Sequence, residues 1–261
     1  DEFIPNTVSS EERAARRDLC TIIHRAYDQK LFTSTQGTFS MRLSDGSFLI
    51  TPYNQDRKYL EPEDIVRIKG GMCEMGKNPS RATRLHEEIY RTHPDINSII
   101  SAHPPAIMAF AVTDAEFDSR TIPESYITLR NVKRLPYAFS RTNIAETAAV
   151  FDAKTPVAIV NNQCVIVTGN SLLNAYDRLE VLEYSAAALI AARDIGDIVY
   201  ITPDEVKSIE KRATSDCDGP AGLNNYITGS YGTSYPSEVL MAQTWSKDMA
   251  FEIGASMGSE F

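Results

Sequence analysis

Short apolar runs alternate with longer amphipathic segments along most of the chain, and this alternation constrains the fold more than any other feature. The stretches "INSIISAH" (96–103) and "PVAIVNNQCVIVTG" (156–169) are strand-like runs bounded by turn residues. Residues 9–30 and 171–195 instead place their apolar side chains at helical spacing. Because strands and helices interleave, we predict one layered α/β domain over residues 1–213.

The remaining elements follow the same two patterns. Further helices are predicted over 82–92, 105–112, 143–153 and from Thr202 or Pro203 onward. Further strands are predicted on both sides of the hairpin dipeptide Asp45-Gly46, within 60–76 and within 132–139. At the start of the first helix, Ser9 and Glu12 have the spacing of a capping box.

The composition changes at about residue 214, where the sequence becomes rich in Gly, Ser, Asn and Tyr. We interpret 214–261 as a C-terminal extension that contains a short helix over 236–251 with the only tryptophan, Trp245. Two roles stay open for its tyrosines, which include Tyr226, Tyr231 and Tyr235. They either cap a cleft of a neighbouring subunit or belong to a disordered or loosely docked segment.

The charge balance argues against two classes of partner. A net charge of -9 and a pI near 5.0 would repel both nucleic acid and anionic membrane surfaces. No apolar run approaches the roughly 20 residues that a membrane-spanning helix needs, and residues 1–13 lack a signal-like apolar region. The four cysteines are scattered without a C-x-x-C pair. We therefore expect a cytoplasmic protein with reduced thiols.

The stretch "SAHPP" (101–105) places His103 at the end of a predicted strand, directly before a predicted helix. A metal site there would need several donors, yet the chain has only four histidines. Three interpretations stay open: a hydrogen-bonded histidine without metal, a metal ligand assisted by Gln163, Cys164 or a carboxylate, and a metal-free acid/base. Cys164 is either a small buried group or a nucleophile that uses His103 as its base.

The order of the motifs resembles that of the class II aldolase/adducin family over residues 10–212. The matching motifs are Gly37-x-x-Ser40-x-Arg42, "LITP" ending at Pro52, "LEPEDIVRI" (60–68), Pro79-Ser80 with Leu85-His86, "IYRTHPDINSIISAHPP" (89–105) and "VNNQCVIVTGNSLLNAYDRLEVLE" (160–183). The resemblance implies a three-layer α/β/α fold with a central, largely antiparallel sheet. It also implies a homotetramer with catalytic clefts between neighbouring subunits.

Enzymes of this family use a divalent metal, commonly zinc, to stabilise an enediolate while a carboxylate moves the proton. At the positions of the three metal-binding histidines this chain has Ser101, His103 and Gln163, and Ala82 stands where the carboxylate should be. The resemblance therefore implies vestigial metal positions, and we expect no cofactor. The alternative is a divalent metal such as zinc or manganese at His103. His86, on the helix after the lost carboxylate, is expected to have a packing role.

The family's phosphate-binding pairs are also altered. They correspond here to Gly37-Thr38, Tyr53-Asn54 and Ser80-Arg81, and Arg84 lies three residues further on. Hydroxyl groups and two guanidinium groups could hold a carboxylate or a phosphate by hydrogen bonds. The alternative is that Arg81 and Arg84 pair with acidic residues of this or another subunit.

These residues lead to three functional hypotheses. The first is a pseudoenzyme, a homo-oligomer that binds a small anion or serves as a scaffold, because the adducin head domain of the family is non-catalytic. The second is a metal-independent lyase, decarboxylase or isomerase of a small anionic substrate, with His103 as acid/base. The third is a metal-dependent lyase with substitute ligands. The only partners that we expect are further copies of the chain and the small anion.

Overall fold

The computed structural model describes residues 1–5, 7–215, 224–225 and 230–231, with side chains over 1–5 and 7–211. The chain divides into two units, residues 1–199 and residues 200–261. The predicted helix over 236–251, with Trp245, lies outside the described residues, as do Tyr226 and Tyr235. The predicted domain boundary near residue 213 stays a prediction.

The first unit is built on a nine-stranded sheet with the order β1-β5-β4-β3-β2-β6-β9-β8-β7. Its strands are β1 (Glu2–Phe3), β2 (Thr38–Arg42), β3 (Phe48–Ile50), β4 (Val66–Lys69), β5 (Met72–Glu74), β6 (Ser98–Ala102), β7 (Val132–Leu135), β8 (Val157–Val160) and β9 (Cys164–Gly169). Only the β1–β5 and β7–β8 pairs are parallel. The expectation of a largely antiparallel sheet is confirmed.

Seven helices of the first unit accompany the sheet among the described residues. They are α1 (Ser10–Asp28), α2 (Thr83–Thr92), α3 (Pro105–Ala111), α4 (Pro123–Leu129), α5 (Phe139–Thr142), α6 (Ile144–Ala148) and α7 (Leu172–Arg193). The sequence pattern does not indicate α4, because seven residues are too few to show a helical period. The predicted helix over 143–153 was too long, since α6 already ends at Ala148.

The second unit contains α8 (Pro203–Ser215) and an antiparallel pair of two-residue strands. The helix begins at Pro203, as predicted. These strands are β10 (Asn224–Asn225) and β11 (Ser230–Tyr231). In the part of the chain that the structure describes, no helix is both long and apolar enough to cross a membrane.

Helices cover both faces of the sheet, which gives three layers. On one face, Leu85 and Ile89 of α2 and Ala148 of α6 pack with Ile99 and Ile166 of the sheet in one buried cluster. On the other face, α1 contacts β2, and α3 and α7 contact β9. Successive side chains of a strand point to opposite faces of the sheet, and both faces are covered by helices. The central strands are therefore apolar at consecutive positions.

A buried ion-pair network ties α1 to the sheet. Ser9 caps the helix by accepting from the Glu12 N–H, but the other half of the predicted capping box is absent. The Glu12 side chain instead turns inward, is fully buried, and accepts from Arg16 at 2.6 Å and from Arg67 at 2.9 Å. Arg16 also contacts Glu74 at 2.8 Å. Burial alone would lower the pKa of Arg16, but its bonds to the two glutamates raise it.

Candidate functional site

The predicted site residues come together at one end of three neighbouring strands. Thr38 begins β2 and lies opposite Ser101 near the end of β6. Ala102 of β6 lies opposite Val165 near the start of β9. His103 follows β6 directly, and Gln163 precedes β9 in the turn from β8. The register therefore places Thr38, Ser101, His103 and Gln163 at the same end of the sheet.

A pair of hydroxyl groups forms the floor of this end. Thr38 Oγ1 and Ser80 Oγ are 2.6 Å apart, and both side chains are buried. Ser80 is held in place because its N–H donates to Thr51 O at 3.0 Å and its Oγ accepts from the Ala82 N–H at 3.3 Å. Ser80 thus links the loop before α2 to the start of β2.

The loop before β2 is shaped by Gly37 and held by a buried arginine. Gly37 has a φ of +82°, and a Cβ at this position would lie 2.8 Å from Phe32 Cγ, so a larger residue would be strained. Arg57 donates from Nε and Nη2 to the Gly37 carbonyl at 3.1 and 3.0 Å. Burial lowers the pKa of Arg57 to about 10, which leaves it charged at neutral pH. The sequence patterns did not single out this cation.

The rim of the site is exposed and basic. The Arg81 guanidinium lies 5.3 Å from the ring centroid of Tyr53, and both side chains are exposed. Asn54 adopts a left-handed φ of 54°, and Arg84 is exposed in the first turn of α2. Neither Arg81 nor Arg84 forms an ion pair with an acidic residue in the described part of the chain. Among the described residues of one chain, the ion-pair alternative is therefore not supported.

A chain of buried polar groups connects the interior to Ser101. Tyr90 Oη and His86 Nδ1 each lie 2.7 Å from Ser40 Oγ, and His86 Nε2 lies 3.2 Å from Ser101 Oγ. Burial lowers the pKa of His86 to about 3, so this imidazole is neutral at physiological pH. His86 is buried as expected, but both of its nitrogens are hydrogen-bonded, which a simple packing role does not require.

Among the described residues, His103 and Gln163 each have a buried side-chain atom without a hydrogen bond. The backbone N–H of His103 donates to Leu31 O at 3.1 Å, while the ring atom His103 Nδ1 is buried and has no hydrogen bond in this part of the chain. Burial lowers the pKa of His103, which favours the neutral imidazole. Gln163 Nε2 donates to Ser140 Oγ at 2.8 Å, but Gln163 Oε1 is likewise without a partner in that part of the chain.

The donors at this end of the sheet do not fit a zinc ion. Of the three positions that the resemblance assigns to metal ligands, only His103 offers an imidazole, the Ser101 hydroxyl is engaged by His86, and Gln163 offers a neutral amide. Within the described ranges, no group of three His, Cys, Asp or Glu side chains is placed to hold a metal.

Cys164 is a poor candidate for a nucleophile. Burial raises the pKa of its thiol to about 12, so the reactive thiolate is disfavoured at neutral pH.

The chain thus has a three-layer α/β fold with a mixed sheet, and polar side chains gather at one end of three neighbouring strands. The model of the "Class II Aldolase and Adducin N-terminal domain" family matches residues 17–190, and the chain belongs to this family.

Two curated relatives are enzymes that act on phosphorylated compounds. An L-fuculose phosphate aldolase of Methanococcus vannielii is 30% identical over 169 residues, which cover 64% of this chain and 91% of the relative. A 3-oxo-tetronate 4-phosphate decarboxylase of Pectobacterium atrosepticum is 25% identical over 210 residues, which cover 78% and 95%. The crystal structure of YgbL from Escherichia coli matches with a TM-score of 0.68 and 25% identity, over 76% of this chain and 98% of that one.

Proposed function

We propose that this protein binds a small phosphorylated compound in its strand-end cleft and has lost the metal-dependent aldolase reaction. The observation that carries the proposal is the contrast between two halves of the cleft. In one half, Thr38 and Ser80 place two hydroxyl groups in hydrogen-bonding contact. The three metal positions, in contrast, keep one imidazole.

The anion-binding half is supported by its charge and by its donors. Arg57 is a buried cation beside Gly37, and Arg81 is an exposed cation at the mouth. The chain as a whole has a net charge of -9. The two guanidinium groups therefore supply a local positive charge that can attract an anion to this site. Both curated relatives act, by their names, on compounds that carry a phosphate group.

The loss of the metal reaction is supported by the chemistry of the substituted side chains. Serine and glutamine are much weaker zinc donors than imidazole. Ala82 has no carboxylate, and the removal of a general acid/base alone typically costs about 10²–10⁴ in rate. Together these replacements remove both the metal that would stabilise a developing oxyanion and the group that would move the proton.

Titration of the purified protein with inorganic phosphate tests the binding half of this proposal. We expect millimolar or tighter binding by calorimetry, weakened about tenfold or more in Arg81→Ala, because a hydrogen bond to a charged group contributes about 1.5–3 kcal/mol. Ser80→Ala should weaken binding as well.

The matched control is Arg91→Ala, which removes an exposed arginine from the other end of α2, where it pairs with Glu88. This variant should bind phosphate like the wild type. Equal affinity in the wild type and in both cleft variants would contradict the proposal, as would the absence of any binding at millimolar phosphate.

A second function is favoured by His103 at the end of β6, because burial lowers its pKa towards the neutral imidazole and its Nδ1 has no partner among the described residues. Such a group can accept or donate a proton without a metal, as a decarboxylase or another lyase requires. If the cleft is catalytic, turnover of phosphorylated keto acids should persist in the presence of a chelator. It should fall by about 10²-fold or more in His103→Gln. Turnover that the chelator abolishes, or that survives in His103→Gln, would exclude this function.

A further inference from the structure

We infer that Tyr90, Ser40 and His86 form a one-way hydrogen-bond relay that makes Ser101 a hydrogen-bond donor to a ligand oxygen in the cleft. The inference deepens the proposed function and rests on it, because it names a second anchoring point beside the phosphate. Ser101 would then have a binding role of its own and would not simply mark a lost metal position.

The relay runs from the core to the cleft. Tyr90, Ser40 and His86 are buried, whereas Ser101 is partly exposed. Three contacts link the four groups in series: Tyr90 Oη to Ser40 Oγ at 2.7 Å, Ser40 Oγ to His86 Nδ1 at 2.7 Å and His86 Nε2 to Ser101 Oγ at 3.2 Å. The relay therefore has one end in the interior and one end that a ligand can reach.

The direction of the relay follows from the cost of a buried donor without an acceptor. Among the described residues, Ser40 Oγ is the only acceptor in hydrogen-bonding contact with the Tyr90 O–H. If Tyr90 donates to Ser40, then Ser40 donates to His86 Nδ1 and the His86 Nε2–H donates to Ser101. Every buried donor is then satisfied, and only the hydroxyl hydrogen at the cleft end is free.

The reverse direction is unfavourable. If Ser101 donated to His86 Nε2, the His86 Nδ1–H would donate to Ser40, and Ser40 would donate to Tyr90. The Tyr90 O–H would then be buried without an acceptor, and a buried polar group without a partner is costly. Because a phenol is more acidic than an alcohol, Tyr90 is also the better donor of the two hydroxyl groups.

The position of Ser101 defines the class of ligand. Ser101 lies directly opposite Thr38 across the β2–β6 pair, so the two Cβ atoms are about 5 Å apart on the same face of the sheet. Thr38 and Ser80 form the hydroxyl pair of the proposed phosphate site. A ligand that reaches both places therefore carries a phosphate and, one or two carbons away, a carbonyl or carboxylate oxygen that accepts from Ser101.

The ring nitrogens of His86 test the relay without any ligand. Two-dimensional ¹⁵N–¹H NMR of the histidine rings distinguishes the two neutral tautomers, and we expect His86 to be protonated on Nε2. In Tyr90→Phe the terminal donor is absent, and we expect this preference to weaken to a mixture of tautomers. A residue with only a packing role would not shift the tautomer. Protonation of His86 on Nδ1 in the wild type would overturn the relay.

The ligand role of Ser101 is tested with two matched phosphates. 2-Phosphoglycolate and ethyl phosphate have the same number of carbons, but only the first carries a carboxylate next to the phosphate-bearing carbon. We expect Ser101→Ala to weaken 2-phosphoglycolate binding about tenfold and to leave ethyl phosphate binding unchanged. The control is Ser98→Ala on the same strand, since Ser98 is buried and donates to Ser40 O, away from the cleft.

The outcomes separate this inference from the proposed function. If Ser101→Ala binds both ligands like the wild type, or weakens both equally, the donor role of Ser101 is overturned while the phosphate site stands. If the wild type binds neither ligand, the proposed function is rejected together with the ligand role. The tautomer of His86 then still confirms or overturns the relay itself.

Discussion

Replacing Ser101 and Gln163 together by histidine is expected to give a protein that binds about one zinc ion per subunit. The two new imidazoles would join His103 at the cleft end of β6 and in the turn before β9, where the register brings these positions together. Three neutral imidazoles with open positions are the donor set that zinc prefers in catalytic sites. We expect a dissociation constant of about 1 µM or tighter, which corresponds to about 8 kcal/mol.

Three controls make this result specific to the cleft. Adding His103→Ala to the double variant should abolish the gain, because two imidazoles at these positions are too few to hold the ion tightly. Each single variant should bind zinc much more weakly than the double variant. A double variant that folds like the wild type and still does not bind zinc would show that the three positions do not converge as the strand register indicates.

Glu12→Ala is expected to produce a large loss of stability although it lies outside the candidate site. The Glu12 carboxylate is fully buried and contacts Arg16 and Arg67, so its removal leaves two largely buried guanidinium groups with fewer partners. Breaking a buried ion pair by removing one partner costs about 3–5 kcal/mol. Urea unfolding at pH 7 should show this loss as a lower midpoint with an unchanged slope.

The neighbouring Glu11 offers a matched control. It is exposed and accepts from Ser44 at the surface, so Glu11→Ala should change the free energy of unfolding by about 0.5 kcal/mol or less. If Glu12→Ala were as mild as Glu11→Ala, the network between α1 and the sheet would not contribute to stability in the way that its burial indicates.

The fold could be predicted from the sequence because its signals are local and repeated. The helices α1, α2 and α7 begin and end within about two residues of their predicted bounds, since each carries enough turns to show a period. The order of motifs then supplied the family, which the match over 17–190 confirms. The short α4, and the inward turn of Glu12, could not be predicted because they depend on packing against distant segments.

The candidate site could be predicted only in part. The strand-end positions of Ser101, His103 and Gln163 followed from the resemblance, and the register of β2, β6 and β9 places them at one end of the sheet. Arg57 was missed because a buried arginine that binds a backbone carbonyl has no signature in the sequence. The relay was missed because its four members lie on three separate elements, and only the fold brings them into contact.

Two expectations stay predictions. One, implied by the resemblance, is the assembly into a homotetramer with clefts between neighbouring subunits. The other, which rests on the scattered cysteines, is a location in the cytoplasm. The proposed anion site does not depend on either, because the contacts of Thr38, Ser80 and Arg57 lie within one chain.

The metal content of the wild-type protein tests the loss of the aldolase site most directly. The protein would be purified without chelator and dialysed against a small excess of zinc. The number of zinc ions per subunit would then be measured by mass spectrometry. We predict well below one ion, roughly a tenth or less, because a single imidazole cannot retain zinc. If the wild type instead holds about one zinc ion per subunit, and His103→Ala loses it, the claim that this site has lost its metal would be contradicted.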